Sequence, residues 1–135
     1  MSAQGWETGG TQAILQLQDV SRVHGQGAAE VHALRRIDLA VLPGEFVAVM
    51  GPSGSGKSTL LTIAGGLDSA SSGKVLVEGQ ELGALSRKAL AAVRRRAIGY
   101  VFQDFNLVPA LTAAENISLP LELDGMKARK VATTV

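Results

Sequence analysis

Gly51-Pro52-Ser53-Gly54-Ser55-Gly56-Lys57-Ser58-Thr59 sets glycines, one lysine and a Ser-Thr pair in a single short run. The order is G-x-x-x-x-G-K-S, the pattern of a backbone loop that wraps the phosphates of a nucleoside triphosphate. Successive N–H groups in such a loop converge on an anion, and a helix opening behind it adds unpaired donors and the positive end of its dipole. The glycines allow turns and a close backbone approach that a side chain would block. Lys57 can then reach the β- and γ-phosphates, and the Ser58 hydroxyl can ligate Mg²⁺. All nine residues are candidate nucleotide contacts. A serine- and glycine-rich surface turn is the bland alternative, and the flanks argue against it: apolar Phe46, Val47, Ala48, Val49 and Met50 precede the loop and Leu60-Leu61 follow it.

Those flanks predict a buried strand, the loop, then a helix. Residues 46–50 are apolar without alternation, as in a parallel strand covered on both faces. The helix carries Leu60, Leu61, Ile63 and Ala64 and stops at Gly65-Gly66. Upstream, residues 13–20 read as a strand, 25–30 as a loop, and 37–41 as a half-exposed strand whose apolar positions alternate. Downstream, Val75 and Val77 share one face of a short strand closed by Gly79-Gln80. Ser86 is a candidate N-cap for a helix from Arg87 to about Arg96, with Ala89, Leu90 and Val93 as its apolar stripe. Arg94-Arg95-Arg96 suit a solvated helix end, favourable against the dipole, better than a nucleic-acid patch. Residues 98–102 read as another strand. Thr112-Ala113-Ala114-Glu115 is a capping-box pattern, so a helix starts there, kinked or ended by Pro120. Alternating and fully apolar strands together predict a small antiparallel sheet laid over a parallel core.

The chain has 135 residues, 46% of them apolar and 19% charged, which fits one globular domain and argues against disorder. A formal net charge of +1 is too small to suggest a polyphosphate-coating role such as non-specific DNA binding, and no nucleic-acid partner is expected. Without cysteine there are neither disulfides nor thiolate metal sites. No apolar run approaches the roughly 20 residues that span a bilayer. The first dozen residues lack the basic region and apolar core of a signal peptide. They read as a flexible tail, residues 1–12, in which Trp6 has no assigned role.

Taken together, these segments resemble an ABC-type ATPase, the nucleotide-binding subunit of an ABC transporter. Leu34, Ile37-Asp38-Leu39-Ala40-Val41 and Pro43-Gly44-Glu45 are similar to that family's lead-in to the phosphate loop. Residues 51–59, Leu60-Leu61 and Gly65-Gly66-Leu67-Asp68 resemble its loop and helix. Ser72-Gly73 and Val75-Leu76-Val77-Glu78-Gly79 resemble its returning strand pair. Ile98-Gly99-Tyr100-Val101-Phe102-Gln103, Asn106-Leu107-Val108-Pro109 and Leu111-Thr112-Ala113-Ala114-Glu115-Asn116 resemble its Q-loop and the helix after it. The wording of residues 65–68 and 106–109 is most similar to the lipoprotein-release and macrolide-export branch. The likeness covers residues 14 to about 130.

The resemblance implies a P-loop α/β nucleotide-binding domain over residues 13–135, with a parallel core and a small antiparallel sheet. ATP and Mg²⁺ are the implied ligands. Lys57 and Gln103 would take part in catalysis, with Ser58 and Gln103 as Mg²⁺ ligands. His24, by ungapped alignment back from Leu34, falls where the family places an aromatic that stacks on adenine; an imidazole stacks more weakly, and an ordinary loop histidine is the alternative. Implied partners are a transmembrane permease and a second ATP-binding subunit. The implied location is cytoplasmic, peripheral on the inner face of the cell membrane. The family's signature motif, Walker B strand with its acidic pair, and switch histidine do not occur in these residues, so the reading is of an N-terminal portion. Asp104, Glu115 and Asp124 follow no apolar strand of Walker B style and read as solvent-facing or capping groups. Two alternatives remain: a module that holds ATP without hydrolysing it, and another P-loop enzyme such as a GTPase or small-molecule kinase. The absence of an Asn-Lys-x-Asp guanine reader and the register of Gln103 argue against the latter.

Overall fold

The computed structural model describes residues 12–104 and 106–126. The tail assigned to residues 1–12, with Trp6, lies outside them save for Gln12, as do residues 130–135. Contacts divide the chain into two compact units, Met1–Leu90 and Ala91–Val135.

In the first unit β1 (Leu15–His24), β2 (Val31–Val41), β3 (Ser72–Val77) and β4 (Gln80–Glu81) form one antiparallel sheet in the order β2-β1-β3-β4. Both central residues of the β3–β4 turn have positive φ, Glu78 at 49° and Gly79 at 77°, which a two-residue hairpin turn matched to strand twist requires. Strand β1 contains a bulge. Leu17 pairs with Leu39 but Val20 with Ile37, and Asp19 sits at φ 51°. The extra residue switches the inner face, so Leu17 and Val20 are both buried although three positions apart. A compensating irregularity in β2 carries Arg36 at φ 48°. The Asp19 N–H donates to Asp38 Oδ1 at 2.8 Å, and Arg36 Nε donates to Asp19 Oδ1 at 2.6 Å. These bonds satisfy backbone and side-chain groups that the broken ladder frees.

Helix α1 (Lys57–Ala64) sets Ile63, 1% exposed, among Leu17, Val20, Leu34, Val75, Val77 and Leu82 to form the core. It ends as the two glycines predict. Gly66, at φ 64°, donates to the Ile63 carbonyl, and Leu67 donates to that of Thr62 at 2.8 Å, closing two carbonyls the helix end leaves open. Helix α2 (Arg87–Ala97) starts in this unit, its Ser86 Oγ accepting from the Ala89 N–H.

The second unit holds the rest of α2 and helix α3 (Ala113–Leu123). The capping box forms in full: the Thr112 side chain accepts from the Glu115 N–H, and Glu115 Oε2 accepts from the Thr112 N–H at 2.7 Å. Pro120 does not end α3, which runs on to Leu123. Arg95 and Arg96 both pair with Asp124, so this basic stretch is partly neutralised within its own unit.

Two expected strands are not laddered. Residues 46–50 and 98–102 belong to no sheet, and Phe46 is 93% and Met50 88% exposed. Every ladder among the described residues is antiparallel. An apolar run specifies burial, but a strand exists only where a neighbour accepts its hydrogen bonds, and no described segment does so here.

Candidate functional site

The glycine-rich loop gains its form from φ angles that only glycine adopts without strain. Gly56 is the N-cap of α1 at φ 89° and ψ 3°. A Cβ there would collide with the Ala33 carbonyl of β2 and stand 3.2 Å from Leu34 Cδ2. The loop end is thus pressed directly against the sheet. Gly54, at φ 80°, faces open space.

Below this turn the Lys57 ammonium donates to the carbonyls of Gly51 at 2.8 Å and Pro52 at 2.6 Å, and reaches Ser55 Oγ at 3.4 Å. A cation held by carbonyls at the root of the loop is aimed before any ligand arrives, which limits the ordering cost of binding. The first helical bond is Leu60 N–H to the Gly56 carbonyl at 2.8 Å. Among the described residues, the N–H groups of Gly54, Gly56, Lys57, Ser58 and Thr59 have no backbone acceptor. No side chain caps α1, and its first turn holds no acidic residue. Unpaired donors, a helix N-terminus and a lysine therefore converge with no internal anion. That arrangement fits a phosphate chain.

The hydroxyl of Ser58, in the first turn, is a neutral oxygen donor suited to a hard cation. No group of three or more His, Cys, Asp or Glu side chains able to hold a metal occurs among the described residues. Any Mg²⁺ here would thus draw most of its oxygens from phosphate and water, as that ion commonly does. His24, the last residue of β1, is exposed and pairs in register with Val31. Ala33, whose carbonyl abuts Gly56, lies two positions further along β2 from Val31. Gln103 lies in the second unit, exposed, in a bend with Asp104.

Two features escaped the sequence reading. On β1, Arg22 pairs with Asp68 at 2.8 Å and donates to the Ser69 carbonyl at 2.8 Å, tying the segment after α1 to the sheet. In the second unit, the Asn116 carboxamide accepts from the Val108 N–H at 2.8 Å and donates to the carbonyls of Val108, Leu111 and Thr112. One side chain thereby fixes the turn entering α3. A cavity of about 220 Å³ in the first unit lies at the far end of α1, lined in part by Ile63, Asp68, Ser69, Val75 and Leu82. No residue of the glycine-rich loop lines it, so the loop remains the candidate site.

A family model described as ABC transporter matches residues 34–135. The chain is 50% identical over 113 residues to the macrolide export ATP-binding/permease protein MacB of Marinobacter nauticus, covering 84% of this chain and 18% of that protein. It is 48% identical over 117 residues to an uncharacterized ABC transporter ATP-binding protein of Thermotoga maritima, covering 87% of this chain and 50% of that one. A solved structure of the ATP-binding cassette MJ0796, a Methanocaldococcus jannaschii protein, matches with a TM-score of 0.80 at 41% identity. That structure is a dimer in a post-hydrolysis state bound to ADP and Pi, and the match covers 87% of this chain and 52% of that one. This chain therefore spans about half the length of the two ATP-binding relatives and a smaller share of MacB.

Proposed function

Because this chain belongs to the ABC transporter family and carries the nucleotide-binding fold of its ATP-binding subunits, we propose that it binds ATP and couples its hydrolysis to export or lipoprotein release through a separate permease. The carrying observation is the loop itself, where Lys57 is held by the Gly51 and Pro52 carbonyls and the N–H groups of Gly54, Gly56, Lys57, Ser58 and Thr59 lack backbone acceptors among the described residues. In this reading residues 51–59 cradle the phosphates and Lys57 contacts the β- and γ-phosphates. Charge-assisted bonds of this kind are about twice as strong as neutral ones. His24 stacks on adenine. Ser58 and Gln103 hold Mg²⁺, which supplies charge neutralisation on the phosphates. Gln103 also places the attacking water. A second ATP-binding subunit completes the site, consistent with the dimer solved for MJ0796, and a permease joins the pair at the inner face of the cell membrane. The fusion of ATP-binding and permease functions in the name of the MacB relative supports that last step.

A second reading is a module that holds ATP without turning it over. Phosphate release at saturating ATP and Mg²⁺, measured on this chain and on Lys57→Ala, separates the two. Lys57-dependent turnover on the order of 1 s⁻¹ supports the enzyme, whereas ATP binding without Lys57-dependent release supports the module. Equal ATP affinity of Lys57→Ala and the parent chain refutes both.

A further inference from the structure

We propose that Arg22 is a positioning residue for the phosphate loop, acting through α1 from the end remote from the ligand; this rests on the nucleotide-binding reading above. Helix α1 is held at both ends. At its N-terminus Gly56 abuts the Ala33 carbonyl and Leu34 of β2. Leu34 is the register partner of Arg22 on β1. From that position the Arg22 guanidinium passes to the other end of the helix. It pairs with Asp68 Oδ2 at 2.8 Å through Nη2 and donates from Nη1 to the Ser69 carbonyl at 2.8 Å. Two neighbouring positions of one strand pair therefore grip opposite ends of the helix.

The far end is also held by the buried Ile63 and by the N–H groups of Gly66, Leu67 and Asp68, which donate back to carbonyls of α1, but those bonds do not reach the sheet. Asp68 and Ser69 line the cavity of about 220 Å³, so packing beneath them is incomplete. A second tie from this segment to β1 is Ser71, whose N–H donates to the Ser21 carbonyl at 2.8 Å and whose Oγ accepts from the Val23 N–H at 3.0 Å. Asp68 also lies just beyond the helix C-terminus, where the dipole disfavours a negative charge. Arg22 offsets that charge, and its planar fork meets carboxylate and carbonyl together. Loss of the guanidinium frees the segment to sag into the cavity. The short, eight-residue helix then tilts about its Gly56 contact, displacing Lys57 and the N–H donors from the phosphates. Small misplacements of binding groups have large effects on binding and rate.

The test uses the full 135-residue chain with two probes, Mg–ATP and inorganic tripolyphosphate, titrated calorimetrically where circular dichroism shows each variant folded. Arg22→Met keeps the aliphatic stem and removes the charge. It is expected to weaken both probes about tenfold, and Arg22→Lys is expected to recover most of that loss. Asp68→Asn is expected to weaken both probes in the same direction. Combining it with Arg22→Met should add little, since both remove one contact. If Arg22→Met does not fold, Asp68→Asn and Arg22→Lys carry the test alone. Folded Arg22→Met or Asp68→Asn binding tripolyphosphate as tightly as the parent overturns the proposal, as do fully additive losses. A parent chain that binds neither probe instead overturns the nucleotide-binding reading on which the proposal stands.

Discussion

Gly54 and Gly56 offer a matched pair of substitutions. Both sit in the left-handed region, at φ +80° and +89°, but only Gly56 has neighbours where a Cβ would go. Alanine in that region costs roughly 1–2 kcal/mol at either site. Restricting the unfolded chain offsets about 0.4–1 kcal/mol, again at either site, so it cancels in the comparison. Gly56→Ala must in addition clear the Ala33 carbonyl and Leu34 Cδ2. Ala33 belongs to β2, which is laddered to β1 from Val31 to Val41, so the backbone oxygen cannot yield cheaply. Forced overpacking of this sort costs about 1–3 kcal/mol. Gly56→Ala should therefore be less stable than Gly54→Ala by about 1–3 kcal/mol. Urea unfolding with unchanged slope measures the difference as a shift in midpoint. ATP titration should rank the variants in the same order, because relief of the clash moves Lys57 with its turn. A stability difference under about 0.5 kcal/mol, within the scatter of a neutral surface change, would mean that the loop does not press on β2.

His24→Ala should weaken ATP binding, towards the lower end of the roughly 1–3 kcal/mol typical of stacking on an aromatic ring. His24→Tyr should preserve or strengthen it, and tripolyphosphate affinity should not respond to either change; a parent chain that binds ATP and tripolyphosphate equally well excludes adenine stacking. The Glu115 carboxyl is held below the ordinary value of 4.5 by the Thr112 N–H and then by the Thr112 hydroxyl, with a smaller opposing effect of desolvation. A depressed value means that the α3 cap is fully present above that pH and is lost as pH falls through the folded-state value. Exchange protection at residues 113–116, taken relative to the intrinsic rate at each pH, should fall in acid in the parent chain, and Glu115→Gln should remove the acid-dependent step. Phe46→Ser with Met50→Ser should reduce concentration-dependent light scattering, because the exposed apolar run is otherwise free to associate; unchanged scattering places the associating surface elsewhere.

What the sequence made legible was mostly local chemistry. Thr112 and Glu115 are three residues apart, and their reciprocal bonds depend on nothing beyond that turn. Gly65-Gly66 announces the end of α1 for the same reason, and the loop pattern names its own φ requirements. Contacts over distance were illegible. Nothing near Arg22 indicates Asp68 as its partner, and nothing near Gly56 indicates the Ala33 carbonyl. The bulge at Asp19 was hidden because its bonding group, Asp38, lies on another strand, and the alternation rule then misplaces the inner face. Residues 46–50 are a different case: their composition records a burial that the described residues do not supply. An asparagine inside a helix, as Asn116 is, gives no sign in the sequence that its amide bonds the preceding turn.

Helices α1 and α3 begin in opposite ways, and the difference bears on folding. In α3, Thr112 and Glu115 finish the N-terminus from within the chain. In α1 the N-cap is a glycine with no side chain to offer, and no acidic residue follows in the first turn. An eight-residue helix is too short to persist on its own hydrogen bonds. Its missing cap must be borrowed, and a phosphate group has the charge and the acceptor oxygens to lend it. Ligand occupancy and helix order then become one equilibrium, and saturation at 100 times the dissociation constant would stabilise the folded chain by about 2.7 kcal/mol. The phosphate is to α1 what Thr112 is to α3, except that it can leave.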